Sequence, residues 1–349
     1  EYVVDMPSGI DVKLNQNESP FDLPDALKQE LLKGYEEVEM NRYPSEQPET
    51  LRHALAEHDG VAPENIIVGN GSNEITYTFG LAFLNPGSPV VLPRPMFSLY
   101  EKVARLQDAD LTSVPPREDF GFDVDALARA AAETDAALTI LTTPNNPTGL
   151  AMTLDEIEQV VTASSGFVVV DEAYVEFNPE GTALELLEQH PNVLILRTLS
   201  KGFGLAGARL GYLLAHPAVV TELMKARLPF MVDRFAEQTA LAVLRRPNLI
   251  ADRVSRIEES ITTLTEALQA MDAVEVVPSQ ANFVIFTTPA PADALQDRLA
   301  ERGVLVRNMG GYPELEGYLR VSAGTEAENN AFLTALESSL SEIAMGTGA

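Results

Sequence analysis

Short apolar runs separated by amphipathic stretches recur through the middle of the chain and constrain its fold more than any other feature. They lie at 65–69 (NIIVG), 89–92 (PVVL), 137–142 (ALTILT), 167–170 (FVVV), 193–196 (VLIL) and 209–215 (RLGYLLA). Several are rich in β-branched residues and lack polar alternation, which is typical of strands buried on both faces. Thr153 and Glu156 have the spacing of a capping box and predict a helix over 153–163. The pattern predicts an α/β fold with a large, mainly parallel α/β/α sheet domain.

The character of the sequence changes after about residue 245. A long amphipathic helix is predicted near 249–270, and short strands (VEVV, ANFVIF, VLVR and YLRVS) then alternate with a helix near 291–302. A chain of 349 residues is long enough for two domains. We expect an N-terminal arm and small-domain segment over 1–40, a large domain over 41–245 and a smaller C-terminal α/β domain over 246–349. The arm, with a helix near 24–33, is expected to pack against the small domain.

The charge balance argues against several classes of partner. The chain has 52 acidic and 24 basic side chains, a formal net charge of −28, so binding to nucleic acid or to an anionic membrane is not expected. No apolar run approaches the roughly 20 residues of a membrane span. The first residues, EYVVDMPSG, lack the basic and apolar regions of a signal peptide. These features predict a folded cytoplasmic protein. Acidity of this size favours adaptation to strong salt, with ordinary bacterial acidity as the alternative.

The residue types also limit the chemistry that is available. The chain has no cysteine, which excludes a disulfide, a thiolate nucleophile and a cysteine metal site. His53 and His58 lie five positions apart in a charged helical stretch, so a surface location is favoured over a zinc site. We expect no metal.

Three of the predicted strands run directly into polar clusters. These are TPNNPTG at 143–149, DEAY at 171–174 and RTLSKGFGLAG at 197–207. The carboxyl ends of strands in an open parallel sheet line the ligand crevice. The three clusters are therefore expected to meet at one site.

Each cluster taken alone has a less specific interpretation. The first is rich in turn-forming residues and fits a simple turn. The second resembles the strand and acid that hold magnesium in P-loop ATPases, but the chain lacks the G-x-x-x-x-G-K-[ST] loop. GFGLAG at 202–207 matches the dinucleotide fingerprint, yet TLSK precedes it and a strand-like run follows it in place of a helix. The fingerprint is therefore interpreted as a chance match.

Lys201 lies among hydroxyls and glycines in the third cluster, in a chain with only six lysines. Burial lowers a lysine pKa and makes the amine a nucleophile for carbonyl groups, as a Schiff base requires. Thr198, Ser200 and Arg209 offer donors for a phosphate, and a buried Asp171 suits a pyridinium nitrogen. These groups together are what pyridoxal 5′-phosphate demands of a protein.

In order and spacing, TPNNPTG, VVVDEAY and TLSKGFGLAGARLG resemble the fold-type I pyridoxal-phosphate aminotransferases. Six further segments extend the resemblance, more narrowly, to the histidinol-phosphate aminotransferases. They are KLNQNESP, NRYP, GNGSNE, SQANF, GVLVRN and YLRVSAGTEAEN. Aromatic aminotransferases and threonine-phosphate decarboxylases share much of this pattern and remain alternatives.

The resemblance implies a set of residues that bind the cofactor. Lys201 would attach the cofactor covalently and then shuttle a proton, and Asp171 would pair with its ring nitrogen. The ring hydroxyl would be bound by Tyr174 and Asn146, and the phosphate by Ser72, Asn73, Thr198, Ser200 and Arg209. Phe97 stands where the family usually stacks a tyrosine on the ring, and its aromatic face is expected to serve. Tyr43 would reach in from a second subunit, which implies a homodimer with shared active sites.

The resemblance also implies how an amino donor and a 2-oxo acid would be held. Arg320 would grip the α-carboxylate of glutamate, and Arg307 would join it in binding the phosphate of histidinol phosphate. Asn17 and Tyr2 would line the entrance. Asp233 departs from the family pattern, because a small neutral residue is usual there and a carboxylate repels phosphate.

The activity implied is pyridoxal-phosphate-dependent transamination of L-histidinol phosphate with 2-oxoglutarate, in histidine biosynthesis. The products would be imidazole-acetol phosphate and L-glutamate. Transamination of aromatic amino acids and decarboxylation of threonine phosphate are the alternative reactions. A ligand-binding regulatory module is the alternative from outside the enzymes.

Overall fold

The computed structural model describes residues 8–346 of the chain. Its strands are β1 (Val12–Lys13), β2 (Ile66–Gly69), β3 (Pro89–Pro93), β4 (Asp110–Val114), β5 (Leu138–Thr142), β6 (Phe167–Asp171), β7 (Val193–Thr198), β8 (Gly211–Ala215), β9 (Glu275–Val277), β10 (Phe283–Thr287), β11 (Val304–Leu305), β12 (Arg307–Asn308) and β13 (Tyr318–Ser322). Its α-helices are α1 (Asp25–Glu36), α2 (Glu49–Asp59), α3 (Gly71–Phe83), α4 (Leu99–Leu106), α5 (Val124–Glu133), α6 (Leu154–Ala163), α7 (Leu186–Gln189), α8 (Pro217–Ala226), α9 (Arg234–Leu244), α10 (Pro247–Gln269), α11 (Ala292–Glu301) and α12 (Glu326–Gly346). None of these helices is both long and apolar enough to cross a bilayer.

Seven strands form the large sheet in the order β2-β8-β7-β6-β5-β3-β4. All neighbours are parallel except β8, which runs antiparallel to both β2 and β7. The mainly parallel sheet and its six predicted strands are thus confirmed. The prediction missed β4 because this edge strand buries only Val114 of its five residues and so has no apolar run.

Successive strand residues point to opposite faces of this sheet and enter two separate cores. On β6, Val170 packs into one core with Leu127 of α5 and Val160 of α6. Its neighbour Val169 packs into the other with Ile75 of α3. The sheet is therefore buried on both faces, as the continuous apolar runs predict.

The predicted capping box opens α6 as expected. Thr153 accepts from the amide of Glu156, whose carboxylate accepts in turn from the amide of Thr153.

A second, antiparallel sheet of order β12-β13-β10-β9 is formed by the C-terminal part of the chain. Its core joins Phe283 and Val321 to Leu264 of α10 and Phe332 of α12. β1 pairs in parallel with β11, with Val12 beside Val304, so the start of the arm is attached to this unit.

Helix α1 differs from the expectation for the arm. Its Leu27 and Leu31 are buried in a core of the large sheet, and Tyr35 lies edge-on to Phe235 of α9. The prediction that α1 packs against the small unit is wrong. Sequence patterning fixes which face of a helix is buried but does not identify the surface that covers it.

Candidate active site

A cavity of about 730 Å³ opens at the carboxyl ends of β5, β6 and β7. Twelve of the predicted site residues line it, and all three polar clusters contribute. They are Asn17, Ser72, Asn73, Phe97, Asn146, Asp171, Tyr174, Thr198, Ser200, Lys201, Arg209 and Arg320. The structure therefore brings together residues that are spread over most of the chain.

Lys201 lines the cavity and lies in the loop that follows β7. Its amine donates to the carbonyl oxygens of Gln16 and Asn17, at 3.1 and 2.9 Å. Burial, together with the charge of Arg320, lowers the pKa of Lys201 to about 7, although Glu18 acts in the opposite direction. A substantial fraction of this amine is therefore unprotonated at neutral pH, which is what a nucleophilic lysine requires.

Asp171 ends β6 and is held at both carboxylate oxygens. Tyr100 donates its hydroxyl to Oδ2 at 2.5 Å, and the amide of Ala173 donates to Oδ1 at 3.0 Å. Burial raises the pKa of Asp171 to about 6, while these hydrogen bonds and Lys201 oppose the rise. The carboxylate is thus mostly ionised at neutral pH and faces the cavity.

The first turn of α3 forms an anion-binding end of the cavity. The side chain of the N-cap residue Asn70 makes no cap hydrogen bond, and Glu74 accepts from the amide of Asn70 alone at 3.3 Å, so Ser72 and Asn73 present their amides at the positive end of the helix. Thr198 donates to the Ser200 hydroxyl at 3.0 Å, and both line the same wall as Arg209.

Two glycines allow Arg209 and the start of α3 to come this close. Gly71 has a φ of +75°, and a Cβ there would lie 2.4 Å from Nη2 of Arg209. A Cβ on Gly211 would lie 2.3 Å from the amide nitrogen of Ser72. Side chains at either position would fill the space beside the amides, so glycine is required for the approach.

Arg320 forms the opposite end of the cavity. Its Nη1 donates to Oδ1 of Asn146 at 2.6 Å, and its Nη2 donates to the carbonyl of Asn15 at 3.0 Å. The guanidinium also lies 5.2 Å from the centre of the Phe283 ring. These contacts hold the Arg320 guanidinium in place at the wall of the cavity. The residue is largely buried, with only 6% of its surface exposed.

Arg307 does not line the cavity, but β12 places it next to Arg320. The two residues are directly opposite in the antiparallel pair β12–β13, so their side chains project from the same face of the sheet. The pair therefore concentrates positive charge beside one end of the cavity.

Asn17 and Tyr174 connect the arm to the site. Nδ2 of Asn17 donates to the Tyr174 hydroxyl at 3.0 Å, and the tyrosine is 4% exposed. Asn17 thus lies deep in the wall and is more than an entrance residue.

Three other residues that the sequence singled out lie either away from the cavity or outside the residues that the structure describes. Tyr43 does not line the cavity and is 79% exposed. Tyr2 is outside the described residues. Asp233 caps α9 by accepting from the amides of Phe235 and Ala236, both at 2.9 Å, so its carboxylate has a structural use away from the cavity.

A buried ion network behind the site was missed by the sequence analysis. Arg197 donates to Glu172 at 2.7 Å and to Asp59 of α2 at 2.7 Å, and all three side chains are almost fully buried. Glu172 follows Asp171, and Arg197 precedes Thr198. The network therefore ties together the strand ends that carry the site.

Tyr100 was also missed, because it lies in an amphipathic stretch that resembles ordinary core. Its position three residues after Phe97, about one helical turn, is the signal that it could face the same cavity.

Comparisons with known proteins agree with this geometry. The model of the aminotransferase class I and II family matches residues 10–336. The histidinol-phosphate aminotransferase of Chlorobaculum tepidum is 42% identical over 96% of each chain, and that of Prosthecochloris aestuarii is 42% identical over 96% of this chain and 94% of its own.

Solved structures share the same fold. The histidinol-phosphate aminotransferase of Sinorhizobium meliloti, in complex with pyridoxal-5′-phosphate, has a TM-score of 0.88 at 26% identity and covers 95% of this chain and 91% of that one. The L-threonine-O-3-phosphate decarboxylase of Porphyromonas gingivalis has a TM-score of 0.83 at 25% identity, covering 95% and 99%. The chain therefore belongs to the class I and II aminotransferases and, within them, to the histidinol-phosphate aminotransferase family.

Proposed function

We propose that this chain transfers the amino group of L-histidinol phosphate to 2-oxoglutarate with pyridoxal 5′-phosphate as cofactor. The products are imidazole-acetol phosphate and L-glutamate, and the reaction belongs to histidine biosynthesis. One observation carries the proposal: a lysine with a pKa near 7 lies in a single cavity with a buried carboxylate, the start of helix α3 and Arg320.

The residues of the cavity fit this cofactor. Because Gly71 lacks a Cβ, the Arg209 guanidinium approaches the start of α3, and together with the amides of Ser72 and Asn73 it suits a phosphate. Thr198 and Ser200 add hydroxyl donors. Asp171 is buried and anionic, as a partner for a protonated ring nitrogen must be.

Three further side chains would contact the ring. Tyr174 and Asn146 supply polar atoms for the ring hydroxyl, and Phe97 supplies an aromatic face. When bound, pyridoxal phosphate supplies an aldehyde that takes up amines and a ring that withdraws electrons from the substrate Cα.

The remaining chemistry falls to Lys201. Its amine is close to half-protonated at pH 7, so it can take a proton from a substrate carbon and return it. The carbonyls of Gln16 and Asn17 give the protonated amine a place to bind when it is displaced.

The donor and acceptor would be distinguished at the opposite end of the cavity. Arg320 is presented to bind the carboxylate of glutamate or 2-oxoglutarate, and Arg307 stands beside it for the phosphate of histidinol phosphate. Because Asp233 is occupied as a helix cap, its carboxylate does not oppose a phosphate there.

We further propose that the active enzyme is a homodimer. Met40, Tyr43, Leu228 and Phe230 are exposed apolar side chains, and the rings of Tyr43 and Phe230 stack at 4.9 Å. Exposed aromatic patches of this kind favour a partner surface. A second copy covering the patch would bring Tyr43 to the neighbouring site.

A specificity screen tests the activity. Initial rates with L-histidinol phosphate, phenylalanine and threonine phosphate are measured with 2-oxoglutarate as acceptor, and both glutamate and carbon dioxide are assayed. The proposal expects the highest kcat/KM for L-histidinol phosphate and glutamate as the coproduct. Preference for phenylalanine, or release of carbon dioxide from threonine phosphate, would instead support one of the two alternative reactions.

Sedimentation velocity tests the dimer. Wild type and Leu106→Asp, which changes an even more exposed apolar residue outside the patch, are expected to sediment as dimers. Phe230→Asp is expected to sediment as a monomer, because a charge in the patch opposes its burial. A monomeric wild type at micromolar concentration contradicts the proposal.

A further inference from the structure

We propose that Tyr100 is a positioning residue: its hydroxyl fixes the orientation of the Asp171 carboxylate and aims the remaining acceptor sites of that group into the cavity. The inference rests on the proposed function, since Asp171 matters here as the partner of the cofactor ring nitrogen. It goes beyond the residues named so far for that function, because Tyr100 binds Asp171 and has no required contact with substrate.

The geometry of the pair carries the proposal. The Tyr100 hydroxyl lies 2.5 Å from Oδ2 of Asp171, and the Ala173 amide lies 3.0 Å from Oδ1. Each carboxylate oxygen is thus held by one donor, and the two donors come from separate elements. A carboxylate oxygen accepts at two lone-pair sites, so each keeps one for a ligand. The plane of the carboxylate is fixed as a result.

The Tyr100 ring is itself fixed in place. Tyr100 is 2% exposed, and its ring stacks with Phe79 of α3 at 6.4 Å and meets the edge of Phe97 at 6.4 Å. Because α4 packs on α3, the phenol oxygen occupies a position that neither helix can change alone. A rigid donor of this kind preorganises the group that it binds.

The electrostatics agree with this role. The titratable groups that act on Asp171 are Tyr100 on α4, Glu172 directly after β6 and Lys201 after β7. Burial raises the pKa of Asp171, and the Tyr100 hydrogen bond opposes that rise. Burial and the charge of Asp171 raise the pKa of Tyr100 well above its ordinary value, so the phenol remains a donor.

A purely structural role for a buried tyrosine can be separated from this one, because the chain contains a matched control. Tyr212 on β8 is also 2% exposed and interacts with the buried ion pair of Arg197 and Asp59. Tyr212 does not line the cavity. Tyr100→Phe and Tyr212→Phe therefore each remove a buried phenol oxygen that interacts with a carboxylate, in one case at the cavity wall and in the other outside it.

The experiment measures the Kd of pyridoxal 5′-phosphate for the apoproteins between pH 5.5 and 8.5. In Tyr100→Phe, binding is expected to weaken most at low pH, with its acid limb displaced upward by about one pH unit, as expected for the loss of a hydrogen bond to a charged group. Tyr212→Phe is expected to keep the wild-type limb. Thermal unfolding verifies that both variants fold, since phenylalanine keeps each ring.

Two results would overturn the proposal: an unchanged acid limb in Tyr100→Phe, or an equal displacement in Tyr212→Phe. In an Asp171→Asn background, Tyr100→Phe should no longer alter the pH dependence, and a persisting effect also contradicts the proposed route through Asp171. Cofactor binding is read without an amino donor. A failure of the proposed substrate therefore shows in the rate assays and leaves this comparison interpretable.

Discussion

The amine nitrogen of Lys201 lies 2.9 Å from the backbone carbonyl oxygen of Asn17, 184 positions earlier in the chain. Asn17 has a left-handed φ of 54° and is held there by Ser322, which accepts from its amide, and by Asn282, which donates to its carbonyl. The N-terminal arm thus completes the wall around the lysine. Part of the burial that lowers the Lys201 pKa comes from a segment attached to the C-terminal unit.

Replacing Lys201 tests the central assignment. Lys201→Ala is expected to abolish transamination, because no other amine takes its place at the carbonyls of Gln16 and Asn17 in the described structure. Initial rates with L-histidinol phosphate and 2-oxoglutarate check this. Lys225→Ala removes an exposed lysine paired with Glu222 and should keep the wild-type rate. Full activity of Lys201→Ala without added amine would falsify the assignment.

The lowered pKa of Lys201 predicts selective labelling of the apoprotein. An ordinary lysine stays charged until about pH 10, whereas the Lys201 amine should lose its proton around pH 7. Limited acetylation, quantified by mass spectrometry across pH 6–9, is expected to give a midpoint near 7 at Lys201. Lys225 serves as an exposed reference. A Lys201 profile that keeps rising up to pH 9 with no midpoint contradicts the shift.

The same shift affects the stability of the apoprotein. Between about pH 7 and 10.5 the unfolded chain holds a proton on Lys201 that the folded chain has released. The free energy of unfolding therefore gains a contribution that increases with pH through this window. Lys201→Met should remove that dependence, which denaturant titrations at several pH values measure.

Six of the seven strands of the large sheet could be predicted, together with the polar clusters at their carboxyl ends and the presence of Lys201 and Asp171 at one cavity. Each of these depends on local patterning and on one rule about parallel sheets. Tyr100 and Arg197 could not be predicted in the same way. An apolar helix face does not show which of its residues hydrogen-bonds to a partner elsewhere in the fold. Strand alternation alone does not identify the residue of the neighbouring strand that Glu172 contacts.

Asp233 is another residue whose side-chain contacts could not be predicted from the sequence. Its carboxylate suggested a conflict with substrate phosphate, but the helix that begins at Arg234 uses it as a cap. The orientation of a single side chain at a loop–helix junction depends on where the helix starts, and sequence patterning leaves such boundaries uncertain by a few residues.

The ion network around Arg197 is expected to stabilise the fold strongly. Arg197→Ala leaves Glu172 and Asp59 buried without their cation, which typically costs about 3–5 kcal/mol. The free energy of unfolding from denaturant titration measures the loss. Arg105→Ala breaks an exposed pair with Glu101 and should cost less than about 1 kcal/mol. Similar losses in the two variants contradict this ranking.

Arg307 is expected to distinguish the two amino donors. Arg307→Ala should lower kcat/KM for L-histidinol phosphate by about 10- to 100-fold, the usual range for losing a hydrogen bond to a charged group. The half-reaction with glutamate should change less, because Arg320 alone is assigned to its carboxylate. Single-turnover rates with each donor measure both effects. Arg298→Ala, an exposed arginine on α11 paired with Glu301, is the control, and equal losses with both donors would refute the assignment.

Salt is expected to stabilise the protein and to assist binding of its anionic ligands. With a net charge of −28, exposed carboxylates repel one another and the anionic groups that must reach Arg209, Arg307 and Arg320. At 1 M salt the Debye length falls to ~3 Å, so the exterior is screened while the nearly buried Arg320 is affected much less. Raising KCl from 0.1 to 2 M should therefore raise the Tm and lower the KM for L-histidinol phosphate.

The triple variant E36Q, E37Q and E39Q removes three exposed charges and should show a smaller gain in Tm, which separates charge screening from general salting-out. An equal gain in the variant, or none in the wild type, contradicts adaptation to salt.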